Sequence, residues 1–318
     1  MFVSSSPVGR FRFPAAVALT AGVLLSVSAC GSIDPLASGG SSDAPSDTIV
    51  VGSAGFAESE IIAEIYAQAL EAQGVTVSKQ LNIGQRDVYL AALQDGSIDL
   101  IPEYSGNLLQ YYAADSTARS SDEVFDALSS ALPDGFRVLE RAAAEDKDSY
   151  NVTAEFAEKH TLNTLSDLAN LDETFVVAGN PELAERPYGP RGLTDVYGVK
   201  ANLMTFSPIN DSGGPLTVSA LIDGTVQVAD IFSTTPAIAE NKFVTLADPK
   251  NLILPQNVLP LINSDSASDL VVKTLNNVSA QLTTEDLIDL NARNQGDEKA
   301  APAALAQDWL TEKGLLSS

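Results

Sequence analysis

Ala92-Leu-Gln-Asp-Gly-Ser-Ile-Asp-Leu-Ile-Pro-Glu-Tyr104-Ser105 aligns without a gap to Ala220-Leu-Ile-Asp-Gly-Thr-Val-Gln-Val-Ala-Asp-Ile-Phe232-Ser233. Each stretch reads as the end of a helix, a glycine turn, an apolar strand, and an aromatic followed by serine. Gly96 and Gly224 occupy the position where glycine ends helices, because it adopts the left-handed conformation without a steric cost. A helix-stop signal alone accounts for the glycines but not for the shared aromatic-serine ending. Tyr104 and Phe232 therefore stand at equivalent places, just past the C-terminal end of a parallel strand. Ligands of open α/β sheets bind at that end. Two such units predict two similar lobes, with Tyr104 and Phe232 both facing a shared cleft.

Working outward, Thr48 to Gly52 is a short apolar run expected to be a buried strand. A helix is predicted from Glu58 to Gln73, with Ile61, Ile62, Ile65, Tyr66, Ala69 and Leu70 on one stripe. Val75 to Leu81 alternates as a strand does, Gln85 to Gln94 reads as a helix, and Ile98 to Pro102 as a third strand. Strand, helix, strand, helix, strand implies a parallel sheet with right-handed crossovers. The style recurs in the middle of the chain. Strands are expected at Thr174–Ala178, Met204–Ile209 and Val226–Ile231, with helices at Leu216–Asp223 and Thr235–Asn241. After Pro260 the chain is expected to be mostly helical, over Ser266–Ala280, Thr283–Asn294 and Ala301–Lys313. Trp309 reads as core packing.

The N-terminus carries a different message. Arg10 and Arg12 precede an apolar run from Pro14 to Val27, followed by Val27-Ser28-Ala29-Cys30. A basic start, a short apolar core and small residues before a cut form a secretory leader. The run is shorter than the roughly 20 residues that a membrane span needs. Cys30 is the sole cysteine of the chain. Its place directly after the small residues resembles the bacterial lipobox, which predicts acylation of the thiol and lipid anchoring at the extracytoplasmic face of the cell membrane. Gly31 to Asp47 is small and polar, a flexible tether.

Composition narrows the function. Apolar residues make up 45% of the 318-residue chain, enough for a packed core, and the net charge is −24. Loss of Arg10 and Arg12 with the leader makes the remainder more negative still. Such a charge repels nucleic acid and anionic surfaces and favours solubility. A body without cysteine has no disulfide, no thiol catalysis and no Cys-type zinc site. His160, the single histidine, lies in the polar stretch Glu158-Lys-His-Thr161, and no GxSxG, HExxH or Walker-type loop is present. No catalytic residue, metal or cofactor is expected. What remains is a set of aromatics and polar residues at element ends. They include Phe56, Tyr104 with Asn107, Tyr150, the loop Glu185-Arg-Pro-Tyr-Gly-Pro-Arg-Gly-Leu193, and Asp211-Ser-Gly-Gly-Pro215. Aromatic faces attract a desolvated cation such as a quaternary ammonium.

One family shows these segments in the same order. They are Gly52-Ser-Ala-Gly-Phe-Ala-Glu-Ser-Glu-Ile-Ile-Ala-Glu-Ile-Tyr66, Pro102-Glu-Tyr-Ser-Gly106, Glu185-Arg-Pro-Tyr-Gly189, Gly192-Leu193 with Tyr197-Gly198, Ala229-Asp-Ile-Phe-Ser-Thr234, Leu282-Thr-Thr-Glu285 and Asp308-Trp-Leu-Thr-Glu-Lys-Gly-Leu-Leu316. From about Ile49 to Leu316 the chain resembles the glycine betaine/choline/carnitine-binding proteins of osmoprotectant ABC importers, the ProX and OpuBC/OpuCC type. The resemblance implies an α/β, two-lobed, type II periplasmic-binding-protein fold, each lobe a mostly parallel sheet flanked by helices. It implies a ligand held between the lobes and passed to an ABC permease with its ATPase subunit. By position, Tyr104, Tyr150 and Phe232 match cage aromatics, and Asn107, Arg186 and Thr234 match polar contacts. Two departures stand out. Ala54 replaces a frequent lysine, and Leu254-Pro-Gln256-Asn257 replaces a Pro-Pro-Tyr-Gln pattern. One cation and one cage wall fewer imply weak binding of glycine betaine, with the ligand using polar groups near Gln256 and Asn257. The expected organisation is a leader over 1–29, a tether over 30–47, lobe 1 over 48–147, lobe 2 over 148–250 and a return to lobe 1 over 251–318. Binding of a different small polar solute, or a surface-anchored enzyme or sensor ectodomain, are the competing readings.

Overall fold

The computed structural model describes residues 48–316. The leader, Cys30 and the whole tether lie outside the described residues. Ten strands form two five-stranded sheets. The first contains β1 (Thr48–Gly52), β2 (Thr76–Gln80), β3 (Leu100–Tyr104), β4 (Phe136–Val138) and β10 (Val258–Asn263), in the order β2-β1-β3-β10-β4. The second contains β5 (Tyr150–Val152), β6 (Phe175–Gly179), β7 (Met204–Pro208), β8 (Val228–Asp230) and β9 (Val244–Thr245), in the order β7-β6-β8-β5-β9. Four strands of each sheet run one way and one runs against them. The reversed strand is β10 in the first sheet and β5 in the second. The chain enters the second sheet at β5 and returns to the first at β10.

Burial follows the pleat. In β10, Val258 and Ile262 face one side of the sheet, while Leu259 and Leu261 face the other. The first side is covered by the helix Ala57–Ala72 and by the C-terminal helices Asp269–Ser279, Thr284–Gln295 and Pro302–Glu312. Trp309 and Leu310 are part of this core. The helix Ala57–Ala72 is buried on more than the one stripe expected, including Glu58, Ala63, Glu64 and Ala67. It is sandwiched between the sheet and the helix Pro302–Glu312, so both its flanks are covered. The edge strand β2 is polar and largely exposed, with Lys79 paired to Glu64, which discourages pairing with another chain.

The reading of a mostly helical segment after Pro260 omits β10. Two prolines explain the omission and also how the strand is tolerated. Pro260 stands directly opposite Pro102 of β3. Ser105 N–H donates to Asn257 O, so by antiparallel alternation Pro102 and Pro260 form a pair that exchanges no hydrogen bonds. Neither missing N–H costs the β3·β10 ladder a bond. The third strand also lies two residues later than expected, so Tyr104 is its last residue.

Candidate functional site

A cleft of about 720 Å³, including its open mouth, lies between the two sheets at the strand ends. Its aromatic wall comes from both lobes. Phe56 immediately precedes the helix Ala57–Ala72, Tyr104 ends β3, and Phe232 follows β8. Phe56 sits between the other two, with ring centroids 6.0 Å from Tyr104 and 5.8 Å from Phe232. The two aromatics of the internal repeat are thus both in contact with one ring. Tyr89 and Tyr188 complete the aromatic lining.

Three acids, Asp146, Asp148 and Glu182, are part of the polar lining. Asp146 and Asp148 lie on the segment that leads into β5 and both line the cleft. Asp148 Oδ2 accepts from Asn107 Nδ2 at 3.1 Å and from the Tyr188 hydroxyl at 2.9 Å, one donor from each lobe. Burial, and then the nearby Glu58 carboxylate, raise Asp146 well above the usual carboxylate range, although the Thr234 N–H at 3.0 Å works the other way. Burial and then Asp148 raise the neighbouring Asp230 in the same direction.

Two arginines reach the cleft, and they differ. Arg86 makes a two-pronged pair with the fully buried Glu103, at 2.9 and 3.0 Å. Burial pulls the guanidinium pKa down, but Glu103 and Tyr89 more than offset this and raise it overall. Tyr89 also donates to Glu103 at 2.7 Å, which fixes both cleft-lining side chains. Arg186 lines the cleft half-buried and forms no ion pair among the described residues. The site therefore presents aromatic faces, carboxylates and one uncommitted cation, a set suited to a small cation or zwitterion.

Residues 47–312 match the OpuAC family, described as the substrate binding domain of ABC-type glycine betaine transport systems. The chain belongs to this family. It is 24% identical over 277 residues to the glycine betaine-binding protein YehZ of Escherichia coli strain K12, covering 84% of this chain and 90% of that protein. It is 25% identical over 298 residues to a glycine-betaine-binding protein of Pseudomonas aeruginosa, covering 86% and 90%. A crystal structure of a glycine betaine/carnitine/choline ABC transporter protein superposes with a TM-score of 0.69 at 20% identity, over 85% of this chain and 100% of that one. The fold is the two-lobed α/β architecture of the type II periplasmic binding proteins.

Within this OpuAC fold, the structure brings Tyr104, Asn107, Arg186 and Phe232 together on the cleft surface. It places Tyr150, Thr234 and Gln256 behind that surface, each almost fully buried. Tyr150 and Gln256 each hold a residue of the cleft lining, and Thr234 bonds to a buried acid. The Tyr150 hydroxyl donates to Tyr188 O at 2.7 Å. Gln256 and Asn107 exchange two hydrogen bonds of 2.9 Å, from Asn107 N–H to Gln256 Oε1 and from Gln256 Nε2 to Asn107 Oδ1. Thr234 donates to Glu58. Asn257 is likewise buried, bonded to Ser121 and to Ala142 O. The exchange at Gln256 needs glycine at 106. A Cβ there would lie 2.5 Å from Pro255 O and 2.9 Å from Gln256 Nε2. Ala54, at the departure from the family lysine, is a buried residue of the cleft lining.

Sequence reasoning did not single out Asp146, Asp148, Tyr89 or Tyr188 as individual contacts. A signal for the acids exists, since residues 146, 148 and 150 alternate in an extended segment and so share a face. Tyr188 lies inside the Gly/Pro loop that was singled out as a whole.

Asp146 gives a testable sign. A carboxyl raised in the folded state binds a proton more tightly there than in the unfolded chain. Its contribution is fully present below the unfolded value, about 4, and is lost as pH rises towards the raised folded value. Asp146→Asn imitates the protonated form. The unfolding free energy of wild type minus that of Asp146→Asn is expected to fall as pH rises from about 4 towards the raised folded value, by at most about 1.4 kcal/mol per pH unit. Urea titrations of both proteins across that range check it. A difference that rises with pH contradicts the assignment.

Proposed function

We propose that this protein is the lipid-anchored, extracytoplasmic solute-binding component of an ABC importer. In this reading it captures an osmoprotectant-type ligand, a quaternary amine or a related small polar solute, and delivers it to the permease and its ATPase subunit. The observation that carries the ligand class is the continuous wall of Phe56, Tyr104 and Phe232 beside the Asp148 carboxylate. A quaternary ammonium has no N–H to donate, so π faces and a nearby negative charge are what recognise it. Arg186 is placed to meet a carboxylate where the ligand carries one. Tyr104, Asn107, Arg186 and Phe232 are the direct contacts in this proposal, with Tyr150, Thr234 and Gln256 as their supports. Binding between lobes would favour the closed form, and the permease would discriminate closed from open. The reading assigns the protein no catalysis.

Among the described residues no helix is long and apolar enough to cross a membrane. The anchor in this reading is the acylated Cys30, with two or more chains holding the body firmly where one would bind only marginally.

Calorimetry of residues 48–318 with choline, glycine betaine, carnitine and proline tests the ligand class. At about 100 times its Kd, a true ligand also adds about 2.7 kcal/mol of stability. Choline is expected to bind more tightly than glycine betaine, and Phe232→Ala to weaken it by up to about thirtyfold. Absence of binding by all four solutes contradicts the reading. Metabolic labelling with a radioactive fatty acid tests the anchor. Label is expected on the wild type and absent from Cys30→Ser, and equal label on both would refute it.

A further inference from the structure

One buried carboxylate lies just outside the cleft lining and bonds to Tyr104 of one lobe and to Thr234, two residues after Phe232, of the other. Glu58 is the second residue of the helix Ala57–Ala72 and is 4% exposed. Its Oε1 accepts the Tyr104 hydroxyl at 2.6 Å. Its Oε2 accepts the Thr234 hydroxyl and Asn291 Nδ2, each at 2.6 Å. These donors come from three separate parts of the fold: the end of β3, the turn after β8, and the helix Thr284–Gln295. Asn291 Nδ2 also lies 3.0 Å from Thr234 Oγ1, which closes the cluster.

No cation pairs with Glu58 among the described residues. A buried carboxylate without a cation persists only when donors replace its lost water. Here three donors do so, and the first turn of a helix adds favourable partial charge. Hydrogen bonds to a charged acceptor are roughly twice as strong as neutral ones. The Thr234 backbone is fixed in turn by Asp146, through the bond described above, and Phe232 is two residues away. Tyr104 belongs to the first lobe and Phe232 to the second, and the two rings do not touch each other through any polar group. Glu58 bonds directly to Tyr104 and to Thr234, two residues beyond Phe232.

We propose that Glu58 is a positioning residue that sets the Tyr104 ring of one lobe against the Phe232–Thr234 turn of the other, without itself touching the ligand. The consequence for ligand affinity rests on the binding reading above. Aromatic cation contacts depend on the rings being held at one separation and tilt, so a loosened anchor weakens every cationic ligand alike. Glu58→Leu removes the acceptor that the Tyr104 and Thr234 hydroxyls and Asn291 Nδ2 share, leaving Asn291 Nδ2 only its contact to Thr234 Oγ1. Glu58→Gln keeps a carbonyl oxygen able to accept from Thr234 and Asn291, so it restores the function in part.

Choline affinity by calorimetry is expected to fall on the order of tenfold to a hundredfold in Glu58→Leu. Glu58→Gln is expected between that variant and the wild type. Should Glu58→Leu not fold, Tyr104→Phe, Thr234→Val and the double variant replace it. Those two changes act through one carboxylate, so their effects on choline Kd are expected to be non-additive, and simple additivity overturns the proposal. A second readout needs no ligand. In ligand-free protein carrying 3-fluorotyrosine, Thr234→Val is expected to move the fluorine resonance of Tyr104 in the other lobe. An unmoved resonance with unchanged choline Kd, even at lowered thermal stability, reduces Glu58 to a structural role and overturns the proposal. If the wild type binds none of the four solutes, the ligand reading fails, and the fluorine shift alone decides the positioning role.

Discussion

Each sheet is completed by a strand that arrives from the other lobe, and the cleft depends on that exchange. β5 follows chain that has left the first sheet and lies against β8, while β10 follows chain that has left the second and lies against β3. These two antiparallel pairings fix the ends of β3 and β8 relative to the crossing segments. Tyr104 and Phe232 leave those strand ends, and Asp146 and Asp148 lie on a crossing segment. Residues 233 positions apart in the chain are thereby held within hydrogen-bond reach, as Glu58 and Asn291 bond directly. A cleft built at a crossing can change its width while its floor stays in register, which is what capture and release of a solute require.

The support of the cleft surface is polar, and it is ordered. Tyr188 is held by Tyr150, Asn107 by Gln256, Tyr104 by Glu58, and Arg86 with Tyr89 by Glu103. Buried polar groups of this kind are costly when unpaired and rigidifying when paired. The Glu103–Arg86 pair has an electrostatic effect as well. By neutralising one guanidinium at the wall, it leaves Arg186 as a cleft-lining cation without an ion pair among the described residues. The net charge of −24 adds a general field that favours approach of cations.

Much of this was legible in the sequence because its signals are local. The helix stops at Gly96 and Gly224, the apolar runs after them and the aromatic-serine endings each occupy a few adjacent residues, and they place the parallel strands and both lobes. The strands that complete each sheet were not legible. β4, β5 and β9 are two or three residues long, too short for a period to show. β10 contains Pro260, which argues against a central strand unless its partner at that position is also unable to bond. At the site, Tyr104 and Phe232 could be placed by the repeat. The family positions supplied Asn107, Arg186, Tyr150, Thr234 and Gln256 but not their depth, since depth is decided by packing between distant segments. Gln256 illustrates this: a polar residue in place of an aromatic looks like a ligand contact, and in the fold its amide is spent on Asn107.

The central claim is that a small cation is held where the two lobes bring Phe56, Tyr104 and Phe232 together. A crystal structure of residues 48–318 grown with choline tests it most directly. The account predicts electron density for the trimethylammonium group against those three rings, within reach of Asp148. Density for choline at any other place, or an empty cleft in protein that calorimetry shows to be choline-bound, would contradict it.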